Sequence, residues 1–294
     1  MTISKRHRIL IASDGSLPAA AALATAVKFP WGASCRAWAV VARSDWFRPE
    51  SQKAQQVLAR TFDAAADNAR RALSLRWKTG EVLTRKEPPV VAILREAERR
   101  NASVIVLGWR GHGVFKRLLA GSVARTVAAD AKCPVLIVRE APRVIRRFVV
   151  GYDCCPNAQR ALEFLCSLDP RSRSRAVLVN VIEPMPMPPS GSLLPATTRA
   201  YIRREIAALN AESLKNAKQA LDLAVARMKR CGWSATGVVR VGAPLEGLLG
   251  AAEDARADVL VLGARAVSGV KRMLLGSVAN GALNLSKVPV LLVR

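Results

Sequence analysis

Histidine is almost missing from this chain: only His7 and His112 occur in 294 residues. The six cysteines stand at 35, 133, 154, 155, 166 and 231 with no C-x-x-C among them. No zinc-ligand set therefore assembles at ordinary spacing. Aromatic residues make up 5%, and the six Trp (31, 38, 46, 77, 109, 233) are too scattered for the stacking array of a single-strand binder. No apolar run reaches the roughly 18 residues of a membrane span. The opening MTISKRHRILIASDGS turns polar again after four apolar residues and is not read as a signal peptide. A Walker A loop is also lacking, and GWRGHG does not follow the dinucleotide order G-x-G-x-x-G. These absences predict a cytoplasmic chain with no membrane partner, whose cysteines are reduced and act as small buried hydrophobes.

Acidic residues are few as well. The chain carries 22 Asp and Glu against 46 Lys and Arg, a net charge of +24. Residues 1–143 account for +14 and residues 144–294 for +10, so the charge belongs to both halves rather than to a basic tail. Such a balance favours anionic ligands or polyanions, and it equally describes a solvated surface.

What the chain has in plenty is Ala, Val and Leu. Hydrophobic residues make up 51% and charged residues 23%, a globular composition long enough for two domains. It also repeats itself. GWRGHGVFKRLLAGSV (108–123) returns as GARAVSGVKRMLLGSV (263–278), and CPVLIVR (133–139) returns as VPVLLVR (288–294). Upstream, RILIASDGS (8–16) is echoed by RFVVGYDCC (147–155), which pairs Asp14 with Asp153. The offset grows from 139 to 155 along the chain, and the Pro-rich segment 183–195 is expected to hold much of the difference as a loop. A repeat this long is a whole domain.

Each copy reads as short apolar strands alternating with helices. Strands are expected at RILIAS, CRAWAVV, 80–84, SVIVLG and PVLIV, with helices at 18–27, 50–76, 88–100 and 121–131. The second copy gives FVVGY, AVLVNVI, SATGVVRV, DVLVLG and PVLLV, with helices at about 197–231, 244–255 and from 276. The fold class is α/β: two tandem doubly wound parallel-sheet domains, 1–141 and 142–294. Each domain should take its ligand beyond the carboxyl ends of the strands, where strand order reverses.

Three pieces converge on that edge. Asp14 ends the first strand, either as an N-cap or as a carboxylate for ribose hydroxyls or a base. Gly108-Trp109-Arg110-Gly111 follows the fourth strand, where glycines allow close approach and successive N–H groups can cradle phosphate. Gly121-Ser122-Val123 opens the next helix with free donors and a positive dipole end. His112 could touch phosphate or simply be exposed. Lys116-Arg117 and Lys271-Arg272 could steer anions or form a solvated face.

The pattern Gly108-x2-Gly111-x9-Gly121-Ser122, with Asp14 at the end of strand one, resembles the ATP-binding signature of universal stress proteins. The resemblance covers essentially the full chain as a tandem pair and implies an adenine nucleotide alpha hydrolase-like fold. It implies ATP, with or without Mg, as the ligand. Asp14 would contact the adenosine and Val41 the adenine through its backbone. Leu107, Gly108, Arg110 and Gly111 would line ribose and phosphates, and Gly121, Ser122 and Val123 would bind phosphates. The corresponding second-half positions are Asp153, Val181, Leu262, Gly263, Arg265, Ala266, Gly276, Ser277 and Val278. Ala266, in place of the second Gly, is the one departure, so the motif is intact in the first domain and altered in the second. Family members with one domain pair through the last strand, which implies that this chain is its own pseudo-dimer and leaves further homo-oligomers open.

Three functions fit these residues. One is a stress-response regulator that binds ATP tightly with little turnover, since no general base follows the phosphate loop. The second is a slow ATPase or phosphotransferase using Asp14 or Asp130. The third, a basic nucleic-acid-binding protein, rests on charge alone.

Overall fold

The computed structural model describes residues 6–43, 51–110, 120–187, 195–264 and 275–294. The first half runs β1 (Arg8–Ser13), α1 (Leu17–Lys28), β2 (Arg36–Ala42), α2 (Gln52–Ser74), β3 (Glu81–Arg85), α3 (Pro89–Arg99), β4 (Val104–Gly108), α4 (Ser122–Asp130) and β5 (Val135–Val138). The second half repeats the order: β6 (Arg147–Gly151), α5 (Pro156–Cys166), β7 (Arg175–Ile182), α6 (Ala196–Arg230), β8 (Ser234–Val241), α7 (Pro244–Asp254), β9 (Val259–Gly263), α8 (Ser277–Leu285) and β10 (Val290–Val293). The extra length of the second half is mostly helix, not loop: α6 has 35 residues against 23 in α2. Its Ala, Leu, Lys, Glu and Arg are good helix formers, and the helix expected at about 197–231, rather than segment 183–195, carries most of the difference.

All ten strands join one sheet in the order β3-β2-β1-β4-β5-β10-β9-β6-β7-β8. Pairing is parallel within each half and antiparallel at the β5–β10 seam, where Leu136 faces Leu291. Alternate strand residues face opposite sides. Ile9, Ile11, Val104 and Val106 pack with α1 and α2, and Val259 and Val261 pack with α5 and α6 on the same face. Leu10, Ile105, Leu107, Leu260 and Leu262 face α3, α4, α7 and α8 on the other side. The two halves thus share both core layers.

Cross-contacts at the seam obey a pseudo-two-fold axis. Arg139, just after β5, donates to the Asn284 carbonyl at 2.7 Å, and Arg294, just after β10, donates to the Ala129 carbonyl at 2.7 Å. Each arginine caps the carboxyl end of the other half's last helix, where carbonyls lack partners and a cation is favoured. Phe29 meets Phe148 edge-on at 5.8 Å, and the Asp169 N–H donates to the Pro30 carbonyl at 2.9 Å. The pairing expected through the last strands is what the sheet shows.

The cysteines depart from the expectation of six reduced thiols. Cys166 and Cys231 form a disulfide that ties the end of α5 to the end of α6. Their Cα atoms stand 5.2 Å apart, inside disulfide range, although 65 residues separate them in sequence. Cys35, Cys133, Cys154 and Cys155 are free. Among the described residues no helix is long and apolar enough to cross a membrane.

Candidate functional site

Strand order reverses between β1 and β4 in the first half and between β6 and β9 in the second. The sequence-selected residues gather at the carboxyl ends of these strands. Asp14 follows β1, buried Val41 pairs with Ser13 near the end of β2, and Leu107 and Gly108 end β4. Asp14 is not the helix cap. Ser16 is the N-cap of α1 and accepts the Ala19 N–H at 3.3 Å, while the Asp14 carboxylate accepts the Ser16 N–H at 3.0 Å. Between them Gly15 adopts φ +81°, a conformation that suits glycine.

The glycines of the motif serve packing first. A Cβ on Gly108 would stand 2.7 Å from the Pro18 carbonyl carbon, so this glycine admits the start of α1 against β4. Gly263 does the same for α5, where a Cβ would stand 2.5 Å from the Asn157 carbonyl carbon. Gly121 is the N-cap of α4 without a capping side chain, and its own N–H is taken by the Trp109 carbonyl at 2.9 Å. The following N–H groups of Ser122 and Val123 begin the helix, where intrahelical acceptors are absent. Gly276 is likewise the N-cap of α8 without a capping side chain, followed by Ser277 and Val278, and Ser122 and Ser277 are both exposed.

Arg110 lies over the Trp109 ring, 4.2 Å from its centroid, and Arg139 lies 3.8 Å from the same centroid. Burial, then the nearby Arg110 charge, lower the Arg139 pKa from its ordinary value. Gly111, His112, Lys116, Arg117, Arg265, Ala266, Lys271 and Arg272 lie outside the described residues.

The second half differs at several matching places. The ladder pairs Arg8 with Arg36 and Arg147 with Arg175, so the offset of 139 persists through β7. The counterpart of Val41 is therefore Asn180, a buried polar residue, and not Val181 as the sequence suggested. Few sequence anchors mark this strand, and a one-residue slip exchanges the two faces. Cys154 replaces Gly15 and still holds φ +65°. Cys155 replaces Ser16 as N-cap, its sulfur accepting the Ala158 N–H at 3.4 Å. Burial first, and then exposed Asp153, raise the pKa of both thiols, which favours the protonated form. A cavity of about 290 Å³ opens between the end of β8 and the start of α7, lined by Arg240, Val241, Gly242, Ala243, Glu246 and Gly247. Sequence reasoning missed this cavity, since it forms only once β8 pairs with β7, Arg240 beside Val181, and α7 packs Gly247 close to Val181.

Relatives share this organisation along their full length. A universal stress protein of Mycobacterium tuberculosis and one of Mycobacterium bovis are each 26% identical over 323 aligned positions, covering 99% of this chain and 98% of the relative. The crystal structure of a universal stress protein from Archaeoglobus fulgidus superposes with a TM-score of 0.67 at 22% identity, covering 98% of both chains. One from Pseudomonas aeruginosa gives 0.59 at 16% identity, covering 99% of this chain and 94% of the other. The family model of the universal stress proteins matches residues 5–139 and again residues 145–294, so the chain belongs to the universal stress protein family, as a tandem of two of its domains.

Proposed function

We propose that the first half of this chain binds ATP at the β1–β4 switch point, with little turnover, and that the protein acts as a nucleotide-dependent regulator in a stress response. The observation that carries this reading is the intact sequence run Gly108-x2-Gly111-x9-Gly121-Ser122, whose described ends, Gly108 and Gly121-Ser122, lie at the sheet edge shared by Asp14 and Val41. The residues fit such a ligand. The α4 N-terminus has no capping side chain, so its first-turn N–H groups suit phosphate oxygens. Asp14 stands on the same edge for the ribose hydroxyls, and Val41 offers backbone to a base. Magnesium would arrive with the phosphates: among the described residues no group of three His, Cys, Asp or Glu gathers to hold a metal.

Little turnover follows from what stands near the phosphates. Asp130 closes the C-terminal end of α4, about 12 Å along the helix from Ser122. Of the two acids weighed for that role, this leaves Asp14, already accepting the Ser16 N–H, and weakens the ATPase reading. The second half binds more weakly, because Asn180, Cys154 and Ala266 alter three matching positions. A cytoplasmic location remains part of the proposal, although the Cys166–Cys231 disulfide removes one of its supports.

Calorimetric titration with ATP tests this. The unmodified chain should show one strong site, weakened about tenfold or more by Gly111→Ala and joined by a second in Ala266→Gly. Two equal sites, or hydrolysis faster than about 1 s⁻¹, would overturn it.

A further inference from the structure

The first half's phosphate loop leaves β4 at Trp109 and rejoins α4 at Ala120, and the second half holds both ends. The Trp109 indole N–H donates to the Leu283 carbonyl at 2.8 Å. The backbone N–H of buried Ala120 donates to Asn284 Oδ1 at 3.1 Å. Arg139 donates to the Asn284 carbonyl at 2.7 Å while stacking on Trp109, which fixes the acceptor and the ring together. The two loop ends also bond to each other, Gly121 N–H to the Trp109 carbonyl at 2.9 Å. Leu283 and Asn284 lie in the last turn of α8, where carbonyls lack intrahelical partners and can accept from outside.

The mirror arrangement cannot form. At the offset of 155, Trp109 corresponds to Ala264 and Asn284 to Ala129. Neither alanine has a side-chain donor or acceptor. Among these contacts of the described residues, the arginine caps run both ways, whereas the Trp109 and Asn284 side-chain bonds run only from the first half's segment to the second half's helix.

We propose that Asn284 and Trp109 are positioning residues through which α8 of the second half fixes the two ends of the first half's phosphate-binding segment, Trp109 and Ala120, for its anion. This deepens the nucleotide-binding reading and rests on it. Ends already fixed leave less freedom to lose when ligand arrives, and a site whose ends are released binds in proportion to the time they spend in the competent arrangement. The second half thus contributes to ATP affinity from outside the site it serves.

Amide hydrogen exchange of the full chain without nucleotide, together with ATP titration, tests the proposal. Asn284→Ala should speed exchange at Ala120 about tenfold, leave β1 and β2 amides unchanged, and weaken ATP about three- to tenfold. Asn284→Asp, which keeps an acceptor, should restore protection at Ala120. Trp109→Phe keeps the ring but loses the indole N–H, and should act in the same direction as Asn284→Ala. Unchanged exchange at Ala120 in Asn284→Ala would show that the second half does not hold the loop. Faster exchange with unchanged ATP affinity would overturn the link to binding. Should the unmodified chain take up no ATP, the nucleotide reading falls, and the exchange measurement still decides whether α8 holds the loop.

Discussion

The two halves of this chain share one topology and differ where a ligand would lie. Gly108 and Gly263, which let a helix start press against a strand, are glycine in both. At the carboxyl ends of the strands, Gly15 becomes Cys154, Ser16 becomes Cys155 and Val41 becomes Asn180, and in the sequence motif Gly111 becomes Ala266. Packing constrains a residue in either half, because the same backbones approach in both. Ligand contact constrains it only where the ligand binds. Within one molecule the differences therefore separate residues fixed by packing from those that packing leaves free to vary.

Buried charge sharpens the contrast most. Glu96 in α3 is fully buried and bonded by Arg85 Nε at 2.9 Å and Arg100 Nε at 3.2 Å. Its counterpart in α7 is buried Ala251, while Arg240, the counterpart of Arg85, turns outward to Asp254. Glu96→Ala leaves two arginines without their shared carboxylate, and we expect a loss of about 3 kcal/mol in denaturant unfolding, with first-half amides opening first. Burial alone would raise the Glu96 pKa, but the bonds and charges of Arg85 and Arg100 lower it on balance. Its contribution is then present above the unfolded carboxylate range, about pH 4.3, and is lost as pH falls through the lower folded value. The unfolding midpoint of the unmodified protein should fall with acid there, and Glu96→Gln should flatten that part of the profile.

An effect of similar size is expected in the second half alone. Reducing the Cys166–Cys231 disulfide, or replacing both residues with Ser, should cost about 2–4 kcal/mol. Exchange measured with and without reductant should show α5 and α6 loosening while α1 and α2 hold. Equal loosening in both halves would mean that the halves unfold as one unit.

The smallest test exchanges the residues at the strand-one turn. Cys154 holds φ +65°, which costs a side-chain-bearing residue about 1 kcal/mol. Cys154→Gly should recover most of that in thermal or denaturant unfolding. Gly15→Ala should lose at least as much, since its Cβ would also stand 3.0 Å from that of Ala65.

Much of this was legible in the sequence. Apolar strands alternating with Ala-rich helices gave the described elements to within a turn, save α5 at Pro156–Cys166, which was not expected, and the doubled motif exposed the tandem architecture. Asp14, Gly108 and Gly121 were placed at the correct sheet edge. Three things were not legible. The Glu96 charge cluster needs α3 packed on β3 before its arginines can be seen. The Val41–Asn180 match depends on ladder register, which sequence similarity does not fix where both strands are uniformly apolar. The ties of Trp109 to Leu283 and of Ala120 to Asn284 span 174 and 164 residues and exist only once the sheet has closed its central seam.

The seam between β5 and β10 has a further meaning for how the molecule can change. In an assembly of two identical chains every substitution appears on both sides of the axis, so a Trp that suits one side must be tolerated on the other. Here the two sides are encoded separately, in a fixed ratio, within one continuous sheet. Trp109 can face a partner's helix end while Ala264 does not, and Asn284 can hold a loop while Ala129 need not. Covalent joining thus frees the halves to diverge, one keeping the full glycine motif and the other supplying the helix end that bonds its flanks, an asymmetry closed to a symmetric dimer.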